Sequence, residues 1–260
     1  MSRRIGFRTI GYRRFSAVEA IRRIAAIGYD GVEVCLEHPG LEPEKISVIT
    51  ASDLARVSEG EGLEIATVSY HGDRDPLELR WERAMTAIEL TPAMGAEILI
   101  VNSPRPDPED ADQLWDEFRR QLDRQLARAE HLGVTLALEP EPGLLVHDSS
   151  DMLDLLGEFA SDSLGVNMDV GHAFLTDDDL PAWIRRLGSN IVSAHIEDMP
   201  AGEHRHLVPG EGDMNLPEVL SGLRATGFEG WLTVDLFDVA DAPDEAAEAS
   251  LEAMRKLVAS

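Results

Sequence analysis

Short apolar runs alternate along the chain with longer stretches in which apolar and polar residues follow helical spacing. The runs are rich in Val, Ile and Leu at consecutive positions, which is typical of strands buried on both faces. The longer amphipathic stretches, many of which end near Gly, are typical of surface helices. The pattern predicts eight strands, each followed by a helix, and the strands are Arg4–Arg8, Gly31–Leu36, Leu63–Val68, Ile98–Val101, Val134–Glu139, Leu164–Val170, Ile191–Ile196 and Trp231–Phe237.

Capping signals mark where several of these helices begin. Ser16 and Glu19 have the spacing of a capping box, which predicts a helix over Ala17–Ile27, and Gly28 is expected to end it. The apolar residues of this segment keep helical spacing, so one face of the helix should pack on the strands. Ser149 and Ser150 are expected to precede another helix, and further helix starts are predicted at Asp177–Asp179, at Asn215 with Pro217 and Glu218, and at Pro243 with Asp244.

Eight strand–helix units in 260 residues, with no linker between them, match a (β/α)8 TIM barrel better than an open doubly wound sheet. We therefore predict one domain over residues 1–260. Residues 5–11 lack the G-x-G-x-x-G spacing of a dinucleotide-binding turn. The chain also lacks a G-x-x-x-x-G-K-[ST] loop and a G-x-S-x-G turn, which disfavours nucleotide hydrolysis and serine esterase chemistry.

The charge of the chain restricts its partners. There are 23 Lys and Arg residues against 49 Asp and Glu, a formal net charge of −26. Such a surface repels phosphate polymers and anionic lipid, so nucleic acid and membrane partners are disfavoured. Cys35 is the one cysteine, which excludes an intrachain disulfide and favours a cytoplasmic protein. A homo-oligomer is left open.

Ionisable residues stand at the carboxyl ends of the predicted strands, which converge on one face of such a barrel. Glu139, Asp169, His195 and Asp235 come from four consecutive strands. Three carboxylates and one imidazole suit a divalent cation that prefers oxygen, such as Mn²⁺, Mg²⁺ or Co²⁺, with Zn²⁺ also possible. Taken singly, each residue is more often a solvated loop residue or a helix cap. As a set they predict one metal site.

Other polar residues follow the same strand ends and are candidate substrate contacts. His71 ends the third strand, Glu141 follows Glu139, and His172 follows Asp169. Arg205 and His206 lie in a Gly- and Pro-containing segment after the seventh strand, which is either a loop folded over the pocket or an ordinary turn.

Several motifs, in order and over nearly the whole length, are similar to a known family. The chain resembles the sugar phosphate isomerase/epimerase family, the xylose isomerase-like barrels that also include endonuclease IV. The matching segments are Ile27-Gly28-Tyr29-Asp30-Gly31-Val32-Glu33-Val34, Leu136-Ala137-Leu138-Glu139, Asn167-Met168-Asp169-Val170-Gly171-His172, His195-Ile196-Glu197-Asp198, Pro209-Gly210-Glu211-Gly212 and Gly227-Phe228-Glu229-Gly230.

The resemblance implies an activity for these positions. In isomerases and epimerases of this family, the residues matching Glu139, Asp169, His195 and Asp235 bind one divalent metal that chelates a ketose or α-hydroxyketone. Those matching Glu139 and Asp235 act as base and acid around an enediolate, and those matching His172 and the Arg205/His206 segment hold substrate hydroxyls. The family usually has Glu where Asp235 stands, and the shorter side chain makes a dehydratase or a one-base reaction more plausible.

Two further hypotheses stay open. The Arg205-His206 segment resembles that of endonuclease IV, and His71 and His172 match further zinc positions, which allows a multi-zinc phosphoesterase. Asn102 and His204 depart from its ligand pattern, and the charge of −26 is poorly suited to a polyanion. A non-catalytic sugar-binding barrel is the third hypothesis, because fold alone does not establish chemistry. The four retained ligand-type side chains favour an enzyme acting on a small sugar or keto-polyol.

Overall fold

Eight parallel strands form a closed barrel in the computed structural model, which describes residues 4–107 and 109–259. The outermost ends of the predicted domain, residues 1–3 and 260, lie outside the described residues, and its extent as one domain stays a prediction. Each strand pairs with the next in sequence, and the first pairs with the eighth. The predicted TIM barrel is thus confirmed, and its strands are β1 (Ile5–Arg8), β2 (Gly31–Cys35), β3 (Glu64–Ser69), β4 (Ile98–Asn102), β5 (Thr135–Glu139), β6 (Leu164–Asp169), β7 (Ile191–Ile196) and β8 (Leu232–Val234).

Helices surround the barrel, and each of the eight predicted strand runs overlaps one of these strands, with β3 and β4 ending one residue later than predicted, at Ser69 and Asn102. Short 3₁₀ turns at Thr9–Tyr12 and Gly188–Asn190 add to the connections. The α-helices are α1 (Ala17–Ile27), α2 (Val48–Gly60), α3 (Leu77–Ala93), α4 (Ala111–Leu132), α5 (Ser149–Phe159), α6 (Val170–Thr176), α7 (Leu180–Leu187), α8 (Leu216–Ala225) and α9 (Pro243–Ala259).

Helix α1 has the predicted bounds. The hydroxyl of Ser16 accepts a hydrogen bond from the backbone N–H of Glu19 at 3.2 Å, and Gly28 ends the helix with a φ of 99° that favours glycine. The Glu19 carboxylate contacts Arg23 one turn further on, at 2.9 Å. The cap of α1 is therefore the Ser16 hydroxyl alone.

Helix α5 begins differently from the prediction. Its cap is Asp148, whose carboxylate accepts hydrogen bonds from the backbone N–H groups of Ser150 and Asp151, both at 2.9 Å. Ser149 and Ser150 lie in the first turn instead of preceding it. A carboxylate also interacts favourably with the positive end of the helix dipole, which explains why Asp148 takes the capping position.

The strands and the inner faces of the helices form one hydrophobic core. Strands β1, β2 and β6 are buried over their whole length, as expected for parallel strands covered by helices. Within the described ranges, no helix is both long enough and apolar enough to cross a membrane. The barrel fixes the strand ends, so polar residues there are held by rigid elements.

Candidate active site

Three of the predicted ligands meet at the floor of a pocket. Glu139 ends β5, Asp169 ends β6 and His195 lies in β7, and each is at most 2% exposed. The pairing of β6 with β7 sets Asp169 beside His195. The His195 Nδ1 atom lies 3.1 Å from Glu139 Oε2 and 3.7 Å from Asp169 Oδ2. One ligand atom from each residue lies within 4.8 Å of the others, close enough to share one ion.

The fourth predicted ligand, Asp235, lies at the edge of this group. Its Oδ2 atom is 3.7 Å from His195 Nδ1 and 2.5 Å from Nη1 of Arg8, with which it forms a buried ion pair. Asp235 follows β8 and Arg8 ends β1, which is the next strand around the barrel. The four predicted ligands therefore lie close together, and one of them, Asp235, also forms an ion pair with Arg8.

Hydrogen bonding supports a ligand role for this set. Within the described part of the chain, Asp169 Oδ2, His195 Nδ1 and Asp235 Oδ1 are buried and have no hydrogen-bond partner. Buried polar atoms almost always have a partner, because leaving one unpaired costs about 1–3 kcal/mol. Three such atoms, two from carboxylates and one from an imidazole, fit a divalent cation in both number and chemistry.

The electrostatics of the floor also favour a cation. Burial would raise the pKa of Glu139, but His195 and His71 outweigh burial and hold that pKa well below its usual range. Burial would lower the pKa of His195, but Glu33 and Glu139 raise it well above its usual range. Glu139 is therefore ionised, and the negative charge of Glu33 and Glu139 attracts positive charge to this part of the site, which suits a cation.

Three histidines line the pocket above the carboxylates. The Nε2 atoms of His172 and His204 lie 3.0 Å apart, and those of His204 and His206 lie 3.3 Å apart. His172 Nδ1 is 3.5 Å from Glu139 Oε1, and His206 Nδ1 is 2.9 Å from the backbone carbonyl of Asp235. The structure thus brings the predicted contacts His172 and His206 to the pocket, together with His204.

Arg205 is not brought to the pocket. Its side chain is 53% exposed, and its guanidinium lies 3.8 Å from Glu203. Directly after this segment, an antiparallel bridge joins Leu207 to Asp198. The neighbouring histidines His204 and His206 contact each other at the pocket, and Arg205 points away from it.

His71 and Glu141 lie at the pocket wall as predicted. His71 Nε2 is 3.6 Å from Glu139 Oε2, and Glu141 accepts a hydrogen bond from the Asn102 amide at 2.9 Å. The same amide donates to Asp73 at 3.0 Å, so one buried residue positions two carboxylates. Burial raises the pKa of Glu141. The cavity has a volume of about 600 Å³, enough for a small polyhydroxylated molecule.

Arg8, Glu33 and Glu197 also belong to the site, although the sequence did not single out their contacts. Each is at most 5% exposed. Glu197 accepts a hydrogen bond from the backbone N–H of Gly171 at 2.7 Å, an approach so close that a Cβ at Gly171 would overlap the carboxylate. The available signal was a charged residue inside an apolar strand, as at Glu33, or at its end, as at Arg8 and Glu197, because a buried charge needs a partner.

A family model described as the xylose isomerase-like TIM barrel matches residues 21–257. Fructoselysine 3-epimerase of Shigella flexneri is 25% identical and covers 97% of this chain and 97% of its own length. 3-Dehydroshikimate dehydratase of Pseudomonas putida is 27% identical over 85% of this chain and 36% of its own length. The curated relatives thus include an epimerase and a dehydratase.

Solved structures share the fold at lower identity. D-psicose 3-epimerase from Clostridium cellulolyticum H10, solved with D-tagatose, has a TM-score of 0.81 and 17% identity over 98% of this chain and 99% of its own. The IOLI protein with a binding zinc atom has a TM-score of 0.81 and 17% identity over 98% of both chains. Given the family match over most of its length, the chain belongs to the xylose isomerase-like TIM barrel family.

Proposed function

We propose that this protein is a divalent-metal-dependent isomerase or epimerase of a small sugar or keto-polyol. The observation that carries the proposal is the convergence of Glu139, Asp169 and His195 at the pocket floor, with unpartnered buried atoms on Asp169, His195 and Asp235. The similarity to fructoselysine 3-epimerase and to D-psicose 3-epimerase supports the same reaction class.

Glu139, Asp169, His195 and Asp235 would hold the ion. Their oxygen-rich set favours Mn²⁺, Mg²⁺ or Co²⁺, and Zn²⁺ is compatible with it. When bound, a divalent cation would polarise the oxygens of a ketose and acidify the proton on the adjacent carbon. His71, His172 and His206 line the cavity beside these ligands and would bind substrate hydroxyls.

Glu139 is the proposed general base. Its carboxylate lines the cavity, is held ionised, and is oriented by a hydrogen bond from the Asn167 amide to Oε2 at 2.6 Å. A fixed, ionised carboxylate can remove a proton from a substrate carbon once the two are within hydrogen-bond reach. Isomerisation needs one such group, which passes the proton between neighbouring carbons on one face.

Epimerisation needs a proton donor on the opposite face of the substrate, and Asp235 was predicted for that role. Its Oδ2 atom accepts a charge-assisted hydrogen bond from Nη1 of Arg8 at 2.5 Å, so that oxygen is already engaged within the protein. This pairing favours Asp235 as a ligand over Asp235 as a proton donor. Isomerisation passes the proton taken by Glu139 to the neighbouring carbon, and dehydration passes it to the departing hydroxyl, which leaves as water, so neither needs a second acid. Epimerisation would need a residue other than Asp235 as the proton donor.

The test is deuterium exchange at the carbon beside the carbonyl, measured by NMR for a panel of ketoses and keto-polyols in D₂O with Mn²⁺. The wild type should exchange the proton of its substrate, and the product distinguishes isomer, epimer and loss of water. Glu139→Gln keeps the shape and removes the base, so the rate should fall about 10²–10⁴-fold. Glu203→Gln, at an exposed residue, is the matched control. Near-normal exchange by Glu139→Gln would rule out the assigned base.

A second candidate function is multi-metal phosphoester hydrolysis, and one specific observation favours it. The Nε2 atoms of His172, His204 and His206 converge at 3.0–3.3 Å, and such a set can bind a further ion. The charge of −26 opposes a polyanionic substrate. Cleavage of a phosphodiester by the zinc-loaded protein, lost in His204→Ala, would favour this candidate over the isomerase.

A further inference from the structure

We propose that Arg8 and Glu33 are positioning residues that fix the imidazole of His195 and the carboxylate of Asp235 for the metal ion. The inference rests on the proposed metal site and concerns two residues that contact the ligands His195 and Asp235 on the side away from the ion. It assigns a role to β1 and β2, from which no ligand was predicted.

Glu33 sets the orientation and tautomer of His195. It is fully buried in the middle of β2, and its Oε2 atom lies 2.9 Å from His195 Nε2. The hydroxyl of Thr67 donates to the same Oε2 at 2.7 Å, which fixes the carboxylate. Because an ionised carboxylate only accepts hydrogen bonds, His195 Nε2 carries a proton. With Nε2 protonated, Nδ1 is the ring nitrogen whose lone pair a metal ion would take, and this atom lies near Glu139 and Asp169.

Arg8 performs the equivalent task for Asp235. Its Nε lies 2.7 Å from Glu33 Oε1, and its Nη1 lies 2.5 Å from Asp235 Oδ2. The guanidinium therefore forms an ion pair with Glu33 and a hydrogen bond to Asp235 Oδ2, and Asp235 Oδ1 has no hydrogen-bond partner within the described residues. That oxygen is the one available to a cation.

The four residues form a continuous chain from Asp235 through Arg8 and Glu33 to His195, linking β8, β1, β2 and β7 across the barrel interior. All four side chains are at most 7% exposed, so solvent screens their charges little. Removing either middle residue would leave a buried charge without its partner, which is costly. These contacts couple the orientation of His195 to that of Asp235. Loss of either Arg8 or Glu33 should therefore affect metal affinity in the same way.

The experiment measures Mn²⁺ affinity of the metal-free protein by isothermal titration calorimetry. Glu33→Gln replaces one carboxylate oxygen by an NH₂ group, so the side chain can no longer offer an acceptor oxygen to both Arg8 and His195. Arg8→Met removes the positive charge and keeps an unbranched side chain. Each should weaken Mn²⁺ binding about 10–100-fold, the usual effect of losing a group that orients a ligand. The double variant should lose little more than either single variant, because both act through one chain.

Thr67→Val keeps the inference testable if the charge variants fail to fold. It removes only the hydroxyl that fixes Glu33, keeps the shape of the side chain, and should weaken Mn²⁺ binding by a smaller factor. The control for general destabilisation is Ile88→Val, a core change in α3 that should leave Mn²⁺ affinity unchanged. Histidine ¹⁵N NMR of the zinc-loaded wild type should show His195 coordinated through Nδ1 and protonated at Nε2.

The outcomes separate this inference from the proposed function. If the wild type binds no divalent ion, the metal site itself is wrong. If the wild type binds Mn²⁺ and every folded variant binds it equally well, the site stands and the positioning role is overturned. Coordination of His195 through Nε2 would overturn it as well.

Discussion

Asp169 offers a test in which one side chain has two separable roles. Its Oδ1 atom accepts a hydrogen bond from the backbone N–H of His172 at 2.8 Å and so caps helix α6, which carries that histidine. Its Oδ2 atom is buried without a partner in the described residues and is a predicted metal ligand. Asp169→Asn keeps a capping oxygen, whereas Asp169→Ala removes it, and both remove the charge.

The difference between the two variants isolates the cap. Replacing a capping Asp or Asn by Ala costs about 1 kcal/mol, within a range of roughly 0.5–2 kcal/mol. For a chain of this size, 1 kcal/mol lowers the melting temperature by about 2–4 °C. Without metal, Asp169→Asn should therefore unfold at a higher temperature than Asp169→Ala by about that amount.

The assay is thermal and urea unfolding in EDTA, followed by Mn²⁺ titration of the same samples. Both variants should bind Mn²⁺ more weakly than the wild type, because both lose the carboxylate charge. Equal stability of the two variants would refute the capping role. Wild-type Mn²⁺ affinity in Asp169→Asn would refute the ligand role, whatever the stabilities.

Three further predictions concern residues around the site and in the core. Arg205→Ala should change the turnover of a substrate found by the exchange assay by less than about twofold, because exposed positions away from contacts tolerate substitution. His206→Ala should slow the same turnover. Equal loss in both variants would place Arg205 in the pocket. Gly171→Ala forces a methyl group onto Glu197 and should destabilise the protein by about 1–3 kcal/mol in urea unfolding, and an unchanged midpoint would contradict the close packing. Burial lowers the pKa of His38, so the stabilising contribution of the neutral ring is complete above about pH 6.5 and is lost as the pH falls through the lowered pKa. The free energy of unfolding of the wild type should therefore exceed that of His38→Gln by less at pH 5 than at pH 8. A constant difference would contradict this.

The fold and the floor of the site could be predicted because both depend on local patterns. A strand buried on both faces is apolar at consecutive positions, so its end is visible as the first ionisable residue, as at Glu139 and Asp169. In a parallel barrel these ends meet on one face whatever the loops do. The barrel topology alone therefore predicts that residues distant in the sequence, such as Glu139 and Asp169, lie close together.

Loop residues could not be assigned in the same way. Arg205 and His206 were predicted as substrate contacts, and His204 was not. Which side chains of this segment face the pocket depends on how its backbone is folded, and that is not visible in the sequence. The sequence of a loop or strand does not show which of its side chains face the interior until the partner that it pairs with is known.

The buried ion pairs were missed for a related reason. Arg8 and Glu33 look like isolated charges in apolar strands. Asp235, the partner of Arg8, is 227 residues further along the chain, and His195, the partner of Glu33, is 162 residues further along. A single sequence shows that such charges need partners and does not show which ones they have. The pairing becomes clear only when the barrel closes.

Metal content is the direct test of whether Glu139, Asp169, His195 and Asp235 bind one divalent ion. The purified protein should be loaded with Mn²⁺, Mg²⁺, Co²⁺ or Zn²⁺, dialysed, and analysed by elemental mass spectrometry beside His195→Ala. We expect about one ion per wild-type chain and none in the variant. No bound ion under any loading condition, or an ion retained in full by His195→Ala, would contradict it.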